Sequence, residues 1–176
     1  MNYLFQSERL GFRTWKATDL SPMAALNADP EVMEFFPSTQ SLEQTKVFFS
    51  RVHAHFEKHG FSWFAVEVLA TQEFIGFIGL VWTEMEATFT PCVEIGWRLQ
   101  KSAWGKGYAT EGATRCLAYA FEDLQLSEVY SFTATLNKRS ERVMQKIGMT
   151  KVDTFEHPKI AEGHSLRPHV LYQIKK

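Results

Sequence analysis

The chain has 176 residues, with 19 Lys and Arg against 20 Asp and Glu, so its formal net charge is −1. This length favours one domain, and we predict a single domain over residues 1–176. The charge balance argues against a nucleic-acid partner, because nucleic-acid-binding proteins normally carry a basic face. The aromatic content of 14% argues against disorder.

The cysteines and the amino terminus bear on the cellular compartment. Cys92 and Cys116 are the only two cysteines and form no Cys-x-x-Cys pair, so the sequence favours neither a disulfide framework nor a cysteine zinc site. The first residues do not resemble a signal peptide. The longest apolar stretch, residues 74–83, is too short to cross a bilayer as a helix. We therefore expect a soluble cytoplasmic protein with no membrane partner.

Strand and helix signals follow one another in the order β, α, α, β, β, β, α, β, α, β, β. Runs of β-branched and aromatic residues predict strands at 10–13, 61–69, 73–82, 92–99, 128–136, 150–155 and 170–174. Apolar spacing and capping residues predict helices at 18–26, 41–59, 107–124 and 137–147, with a short helical turn at 30–35. This order predicts a mixed sheet with helices covering its faces.

Residues 94–112 run from a strand, through a loop that contains Gly105 and Gly107, into the longest amphipathic helix. A helix N-terminus offers unpaired N–H groups to an anion, the glycines allow close approach, and Lys106 adds a positive charge. Neither a Walker loop nor the dinucleotide fingerprint fits, since Thr110 stands where the third glycine is required. From spacing alone, a loop whose glycines only turn the chain is an equal alternative.

The same loop carries a family resemblance. The segment Trp104-Gly105-Lys106-Gly107-Tyr108-Ala109 is similar to the acetyl-CoA loop Gln/Arg-x-x-Gly-x-Gly/Ala of the GNAT superfamily of N-acetyltransferases, with Trp104 at the Gln/Arg position. Segments at 7–10, 19–20, 27–33, 36–37 and 137–149 resemble further parts of that family in the same order. The resemblance is to the branch that includes the ribosomal-protein N-terminal acetyltransferases.

The resemblance implies the α/β (α+β) GNAT fold. This fold has a mixed, mostly antiparallel central sheet of six to seven strands, flanked by about four helices and splayed between its fourth and fifth strands. Those strands correspond here to residues 92–99 and 128–136. In the family, pantetheine lies in the gap between them, and Gly96 marks the expected bulge. A packing bulge without a ligand is the alternative for Gly96.

Acetyl-CoA is the implied acetyl donor, and no metal is implied. The residues expected to bind it lie on the splayed strand, the glycine loop and the starts of the two helices that follow. They are Ile95, Trp97, Leu99, Trp104, Gly105, Lys106, Gly107, Tyr108, Ala109, Thr110, Asn137 and Arg139. His55 and His59 are one helical turn apart but lack a third ligand in zincin spacing, so we expect a solvated helix face there.

In the family an amine attacks the thioester directly, which requires a base for the amine and an acid for the leaving thiolate. Many relatives use a tyrosine as the acid, but that position is Met144 here. Ser140 is the substitute that the resemblance suggests; the alternative is a serine that only satisfies nearby backbone groups. Glu94 is the predicted base, and a solvent-facing carboxylate is its alternative. His157, His164 and His169 are weaker candidates for the base.

The acceptor is less well determined than the donor. An α-amine, with a pKa near 8, is easier to deprotonate than a lysine side chain, with a pKa near 10.4. This favours a protein N-terminus or a similarly acidic amine. The alternatives are a polyamine or aminoglycoside-like small molecule, for which Glu84, Glu86 and Glu94 hint at an acidic pocket, and a catalytically silent CoA-binding domain. The sequence is compatible with a monomer or a homodimer.

Overall fold

The computed structural model describes residues 3–176 and contains eight strands and four α-helices in that range. The strands are β1 (Phe5–Gln6), β2 (Leu10–Arg13), β3 (Trp63–Val68), β4 (Glu73–Thr83), β5 (Cys92–Leu99), β6 (Glu128–Ala134), β7 (Thr150–Glu156) and β8 (Pro168–Lys175). The helices are α1 (Leu20–Ala28), α2 (Leu42–His59), α3 (Tyr108–Ala118) and α4 (Lys138–Lys146). A π-helical turn, Tyr119–Asp123, continues α3.

The strands form one sheet in the order β1-β2-β3-β4-β5-β6-β8-β7. Every neighbouring pair is antiparallel except β5 and β6, which are parallel and share the single residue pair Glu94 and Tyr130. The predicted fold class, a mostly antiparallel sheet that is splayed at one junction, is therefore confirmed. The short β1 adds a strand to the six to seven expected, so the splayed fourth and fifth strands of the family are β5 and β6 here.

The segment between α1 and α2 contains the predicted helical turn, but the turn does not extend into a helix. It is closed by the bond from the Met33 N–H to the Asp29 carbonyl, 3.0 Å. The next bond, from the Phe36 N–H to the Met33 carbonyl, is already a tighter turn. Beyond it, Ser41 caps α2 by accepting a hydrogen bond from the Gln44 N–H.

The sheet separates two hydrophobic cores, and each core holds one set of helices in place. On one face α3 packs closely against β4, because a Cβ at Gly112 would lie 2.3 Å from the Ile78 side chain. On the other face α1 and α2 cover an aromatic cluster that includes Trp15, Phe48 and Phe77. The N-terminus of α3 and the α1–α2 face are thus fixed on opposite sides of the sheet.

A buried ion network links β2, β3 and the segment before α1. The Arg13 guanidinium donates to both carboxylate oxygens of Asp19, at 2.6 and 2.8 Å, and its Nε donates to Glu67 at 2.7 Å. All three residues are 4% exposed or less. Burial alone would raise the pKa of Glu67, but hydrogen bonds from Arg13 and Tyr3 outweigh burial and lower it.

We expect Glu67→Gln to lower the free energy of unfolding by about 3 kcal/mol, because it leaves Arg13 buried with only one carboxylate partner. The matched control is Glu43→Gln, which removes an exposed carboxylate paired with Lys46 at 2.7 Å. That change should cost less than about 0.5 kcal/mol. Urea unfolding of both variants at neutral pH measures the difference, and equal losses would contradict the prediction.

Candidate active site

A cleft of about 1080 Å³ opens where β5 and β6 diverge. Strand β5 is paired along its whole length with β4, and β6 is paired along its whole length with β8. The facing edges of β5 and β6 share only the pair Glu94 and Tyr130, so the strands separate on one side of that pair. The cleft extends from the start of α3 and α4 to the aromatic face beneath α1 and α2.

The glycine loop forms one end of the cleft at the N-terminus of α3. Gly105 and Gly107 have φ angles of +74° and +81°, a region that L side chains rarely adopt. No side chain caps the helix at Gly107, and a Cβ at Gly105 would have nothing within 4 Å. The first N–H groups of α3 therefore face open space, which fits the pyrophosphate of acetyl-CoA.

The cleft brings together most of the residues predicted to bind acetyl-CoA. Those that line it are Trp97, Leu99, Trp104, Gly105, Gly107, Tyr108, Ala109, Thr110, Asn137 and Arg139. Ile95 does not line it, because its side chain is buried in the core and its carbonyl accepts a hydrogen bond from Ser131 at 2.9 Å. Lys106 also lies outside it; its side chain is exposed and its carbonyl accepts from Arg9.

Trp104 has a role that the sequence did not reveal. Its indole N–H donates to the Leu99 carbonyl at 2.9 Å, which ties the glycine loop to the end of β5. The Arg139 guanidinium lies 4.4 Å from the Trp104 ring centre and pairs with Glu34 at 2.5 Å. Lys101 likewise pairs with Glu31. Arg139, which is predicted to bind acetyl-CoA, and Lys101 are thus both engaged by carboxylates of the segment between α1 and α2.

Helix α4 presents its first turn to the cleft. Asn137 caps the helix by accepting from the Ser140 N–H at 3.2 Å, and its amide donates to Thr133 at 3.0 Å. The Ser140 side chain lines the cleft, and among residues 3–176 its hydroxyl has no hydrogen-bond partner. Met144, at the position of the usual tyrosine, is 1% exposed and packs in the core.

Glu94 lies at the point where β5 and β6 separate. Its Oε2 accepts from the Thr83 hydroxyl at 2.8 Å, and its side chain lines the cleft. Burial raises the pKa of Glu94 to about 7, although Thr83 and the charge of Lys159 oppose the shift. A carboxylate with this pKa can exchange protons at neutral pH. Glu94 is thus partly buried and held by Thr83, and its role as the base stays a prediction.

The histidines differ in their placement. His157 and His169 line the cleft with their rings 4.8 Å apart, whereas His164 does not line it. Burial and the neighbouring His169 lower the pKa of His157 to about 4, which makes it a weak base. His55 bridges two backbone groups, the Phe61 carbonyl at 2.8 Å and the Trp82 N–H at 2.9 Å. Both ring nitrogens of His55 are thus used structurally.

Residues 3–176 contain neither a metal centre nor a membrane segment. No cluster of three or more His, Cys, Asp or Glu side chains in that range is arranged to hold a metal ion. No helix in the same range combines the length and the apolar character of a transmembrane segment.

Arg98 is the cleft residue that sequence reasoning missed. It lies on β5, and Glu94, Gly96 and Arg98 alternate onto the same face. A Cβ at Gly96 would lie 2.9 Å from the Trp63 ring, so the glycine leaves room for that indole between the two charged residues. The alternation was visible in the sequence, but nothing in it indicated that this face of β5 is enclosed.

Comparison with known proteins agrees with this geometry. The family model of the acetyltransferase (GNAT) domain matches residues 9–150. The FsC-acetyl coenzyme A-N(2)-transacetylase of Aspergillus fumigatus is 37% identical over 139 residues, which are 74% of this chain and 57% of that protein. The crystal structure of a GNAT-family acetyltransferase from Bacillus anthracis has a TM-score of 0.79 at 26% identity and covers 97% of this chain and 96% of that one.

A third relative is known from a complex with coenzyme A. RimL, the ribosomal L7/L12 alpha-N-protein acetyltransferase, has a TM-score of 0.80 at 13% identity, over 99% of this chain and 98% of that one. At this identity the likeness concerns the fold alone. The fold, the cleft and the family match define an acyltransferase. The chain belongs to the GNAT acetyltransferases, enzymes that use acetyl-CoA to acetylate amines.

We expect Gly105→Ala to raise the Kd for CoA about tenfold or more, because the new methyl group enters the space in front of the α3 N-terminus. Gly60→Ala is the matched control, since Gly60 has φ +76° and also has nothing within 4 Å of a Cβ. Both variants should lose about 1 kcal/mol of stability through backbone strain. Calorimetric titration with CoA separates them, and equal affinities would count against this loop as the anion site.

Proposed function

We propose that this protein transfers the acetyl group of acetyl-CoA to a primary amine by direct attack in a ternary complex, with Glu94 as the general base. The observation that carries the proposal is the Glu94 carboxylate, which lies in the cleft with a pKa raised to about 7. When bound, acetyl-CoA supplies the thioester carbonyl that a neutral amine attacks. We treat residues 1–176 as one catalytic domain, acting in the cytoplasm as a monomer or a homodimer.

Different residues along the cleft would accept the proton of the amine, bind the phosphates and donate a proton to the leaving thiolate. Glu94 takes the proton of the acceptor ammonium at Oε1 or Oε2, directly or through water. The N–H groups at the start of α3 hold the phosphates, and Arg139 is near enough to assist once it leaves Glu34. Ser140 holds a hydroxyl proton at the opposite wall, where a leaving thiolate needs one. The free hydroxyl of Ser140 supports this role over a purely local one.

The amine acceptor is an α-amine or an amine of similar acidity, on a protein N-terminus or a small molecule. The polyamine alternative is disfavoured, because Glu84 and Glu86 do not line the cleft. Glu84 instead accepts a hydrogen bond from the Trp82 indole at 2.8 Å. CoA release, followed with a thiol reagent against a mixed panel of amines and peptides, tests the proposal. Binding of acetyl-CoA without amine-dependent release would support the catalytically silent alternative.

We expect kcat/KM to fall as the pH drops through about 7, because the protonated form of Glu94 cannot accept a proton. An acceptor amine of low pKa isolates this step, since it stays neutral over the same range. Glu94→Gln should lower kcat by about 10²–10⁴-fold and remove the inflection. Glu84→Gln, a nearby carboxylate outside the cleft, should leave the profile unchanged. An inflection that persists in Glu94→Gln would assign the base elsewhere.

We expect Ser140→Ala to lower kcat by about tenfold or more without changing the KM for acetyl-CoA, because only the proton for the leaving group is lost. Ser50→Ala on α2 is the control; its exposed hydroxyl donates to the Lys46 carbonyl at 3.3 Å. Initial rates across the pH range measure the effect. The role of Ser140 as an acid is excluded by an unchanged rate at every pH.

A further inference from the structure

Arg98 is held in the cleft without a charged partner. Its Nη1 donates to the Asn27 side-chain carbonyl at 2.7 Å, and its guanidinium lies 4.2 Å from the ring centre of Phe36 and 5.4 Å from that of Phe77. Its Nε is buried and has no hydrogen-bond partner in the described part of the chain. Burial lowers the pKa of Arg98 to about 10, so the group is still charged at neutral pH.

An uncompensated buried charge is costly, and the rest of this protein avoids one. The fully buried guanidinium of the structure, Arg13, is neutralised by Asp19 and Glu67. Arg98 forms no ion pair with any residue in the range 3–176. Since desolvating a charge without a partner disfavours folding, an arginine in this state is expected where a ligand supplies the missing anion.

The guanidinium keeps a donor that is free for a carboxylate. Nη1 is used by Asn27 and Nε is buried, whereas Nη2 is the nitrogen that can donate to a carboxylate in the cleft. Neither Nε nor Nη2 donates to any residue between 3 and 176. The Phe36 and Phe77 rings lie against the guanidinium and help to hold it in place.

A second unsatisfied atom belongs to another residue that lines the cleft. Within residues 3–176, Arg98 Nε and Gln40 Oε1 are the two buried side-chain polar atoms that lack a partner. Both residues line the cleft, and both contact Asn27, since the Gln40 N–H donates to the Asn27 carbonyl at 2.9 Å. Arg98 Nε needs an acceptor and Gln40 Oε1 needs a donor, so a ligand that carries both kinds of polar group would complete the hydrogen bonding here.

The charge of the cleft as a whole agrees with an anionic ligand. Glu94 is its only acidic lining residue in the described chain, against the basic residues Arg51, Arg98, Arg139, Arg142, Lys146 and Lys159. Arg139, Arg142 and Lys146 belong to α4 or its end, near the glycine loop. Arg51, Arg98 and Lys159 remain on the acceptor side, so this side attracts anions and repels polycations.

Resting on the proposed function, we propose that the acetyl acceptor is a small amine that also carries a carboxylate, and that Arg98 forms its carboxylate-binding subsite. Glu94 and Arg98 lie four residues apart on one face of β5 and flank Gly96. The amine of such an acceptor faces Glu94 and its carboxylate faces Nη2 of Arg98. The subsite selects amino-carboxylates over simple amines and polyamines.

Matched acceptor pairs test this selectivity. Free α-amino acids are compared with their carboxamides, and spermidine represents the polyamines. We expect kcat/KM to be at least about tenfold higher for the carboxylates than for the amides, the effect of one charge-assisted pair. A protein N-terminus, presented as a peptide without a nearby carboxylate, should behave like the amides.

Variants of Arg98 locate the effect. Arg98→Met should lower kcat/KM for the carboxylates by about 30- to 300-fold and for the amides by less than about threefold, as expected when one partner of a buried charge pair is lost. Arg98→Lys keeps the positive charge but loses the planar guanidinium. Its decrease in kcat/KM for the carboxylates should therefore be intermediate. Lys46→Met removes a positive charge from the exposed face of α2 and should leave both acceptor classes unchanged.

Binding without turnover separates this inference from the proposed function. Calorimetric titration of the wild-type protein, saturated with CoA, should show the carboxylate of each pair binding at least about tenfold more tightly than the amide. Acetyl transfer with equal kcat/KM for carboxylates and amides would overturn the subsite and leave the proposed function intact. If no amine is acetylated, the proposed function fails and the titration still tests the subsite. Should Arg98→Met not fold, Arg98→Lys and the wild-type titration decide whether the subsite exists.

Discussion

The single parallel junction of the sheet, where β5 leaves β6, is the constraint on which the rest of the site depends. Each strand has its other edge filled, β5 by β4 and β6 by β8, so their facing backbone groups must find partners that are not strands. Ser131 satisfies the Ile95 carbonyl and Trp104 satisfies the Leu99 carbonyl. The cleft is therefore a consequence of topology, and the polar groups along its walls are fixed before any ligand binds.

Backbone groups form the donor end of the cleft, whereas side chains form its acceptor end. At the donor end, backbone N–H groups of α3 are held by the close packing of Gly112 on Ile78, and Arg9 braces the loop through Glu111 and the Lys106 carbonyl. At the acceptor end, side chains define the surface, supported by a chain of hydrogen bonds from Asn27 to Thr45. Backbone geometry suits the phosphates of any CoA, whereas side chains suit one kind of acceptor.

This difference explains what the sequence could predict. The glycine loop, the Asn137 cap and the strand with Gly96 are local patterns, and each is found within a few residues of its predicted position. Arg98 reads locally as a surface residue between two apolar positions, because its partner Asn27 is 71 residues away in the chain. The pairing of Arg139 with Glu34 spans 105 residues, and the burial of Glu94 depends on the whole cleft. These features depend on contacts between residues that are far apart in the chain, so the local spacing of residues cannot predict them.

Desolvation shifts the pKa of both Glu94 and Arg98. Burial raises the pKa of Glu94 towards neutrality and leaves the charge of Arg98 without a carboxylate partner. A cationic ligand would therefore stabilise the charged form of Glu94, and an anionic ligand would stabilise the charged form of Arg98. A polycation beside Glu94 would lower its pKa and make it a weaker base. A carboxylate paired with Arg98 offsets the charge of the guanidinium, so such an acceptor does not bring the net positive charge that a polycation would place beside Glu94. The base and the guanidinium therefore favour the same kind of acceptor.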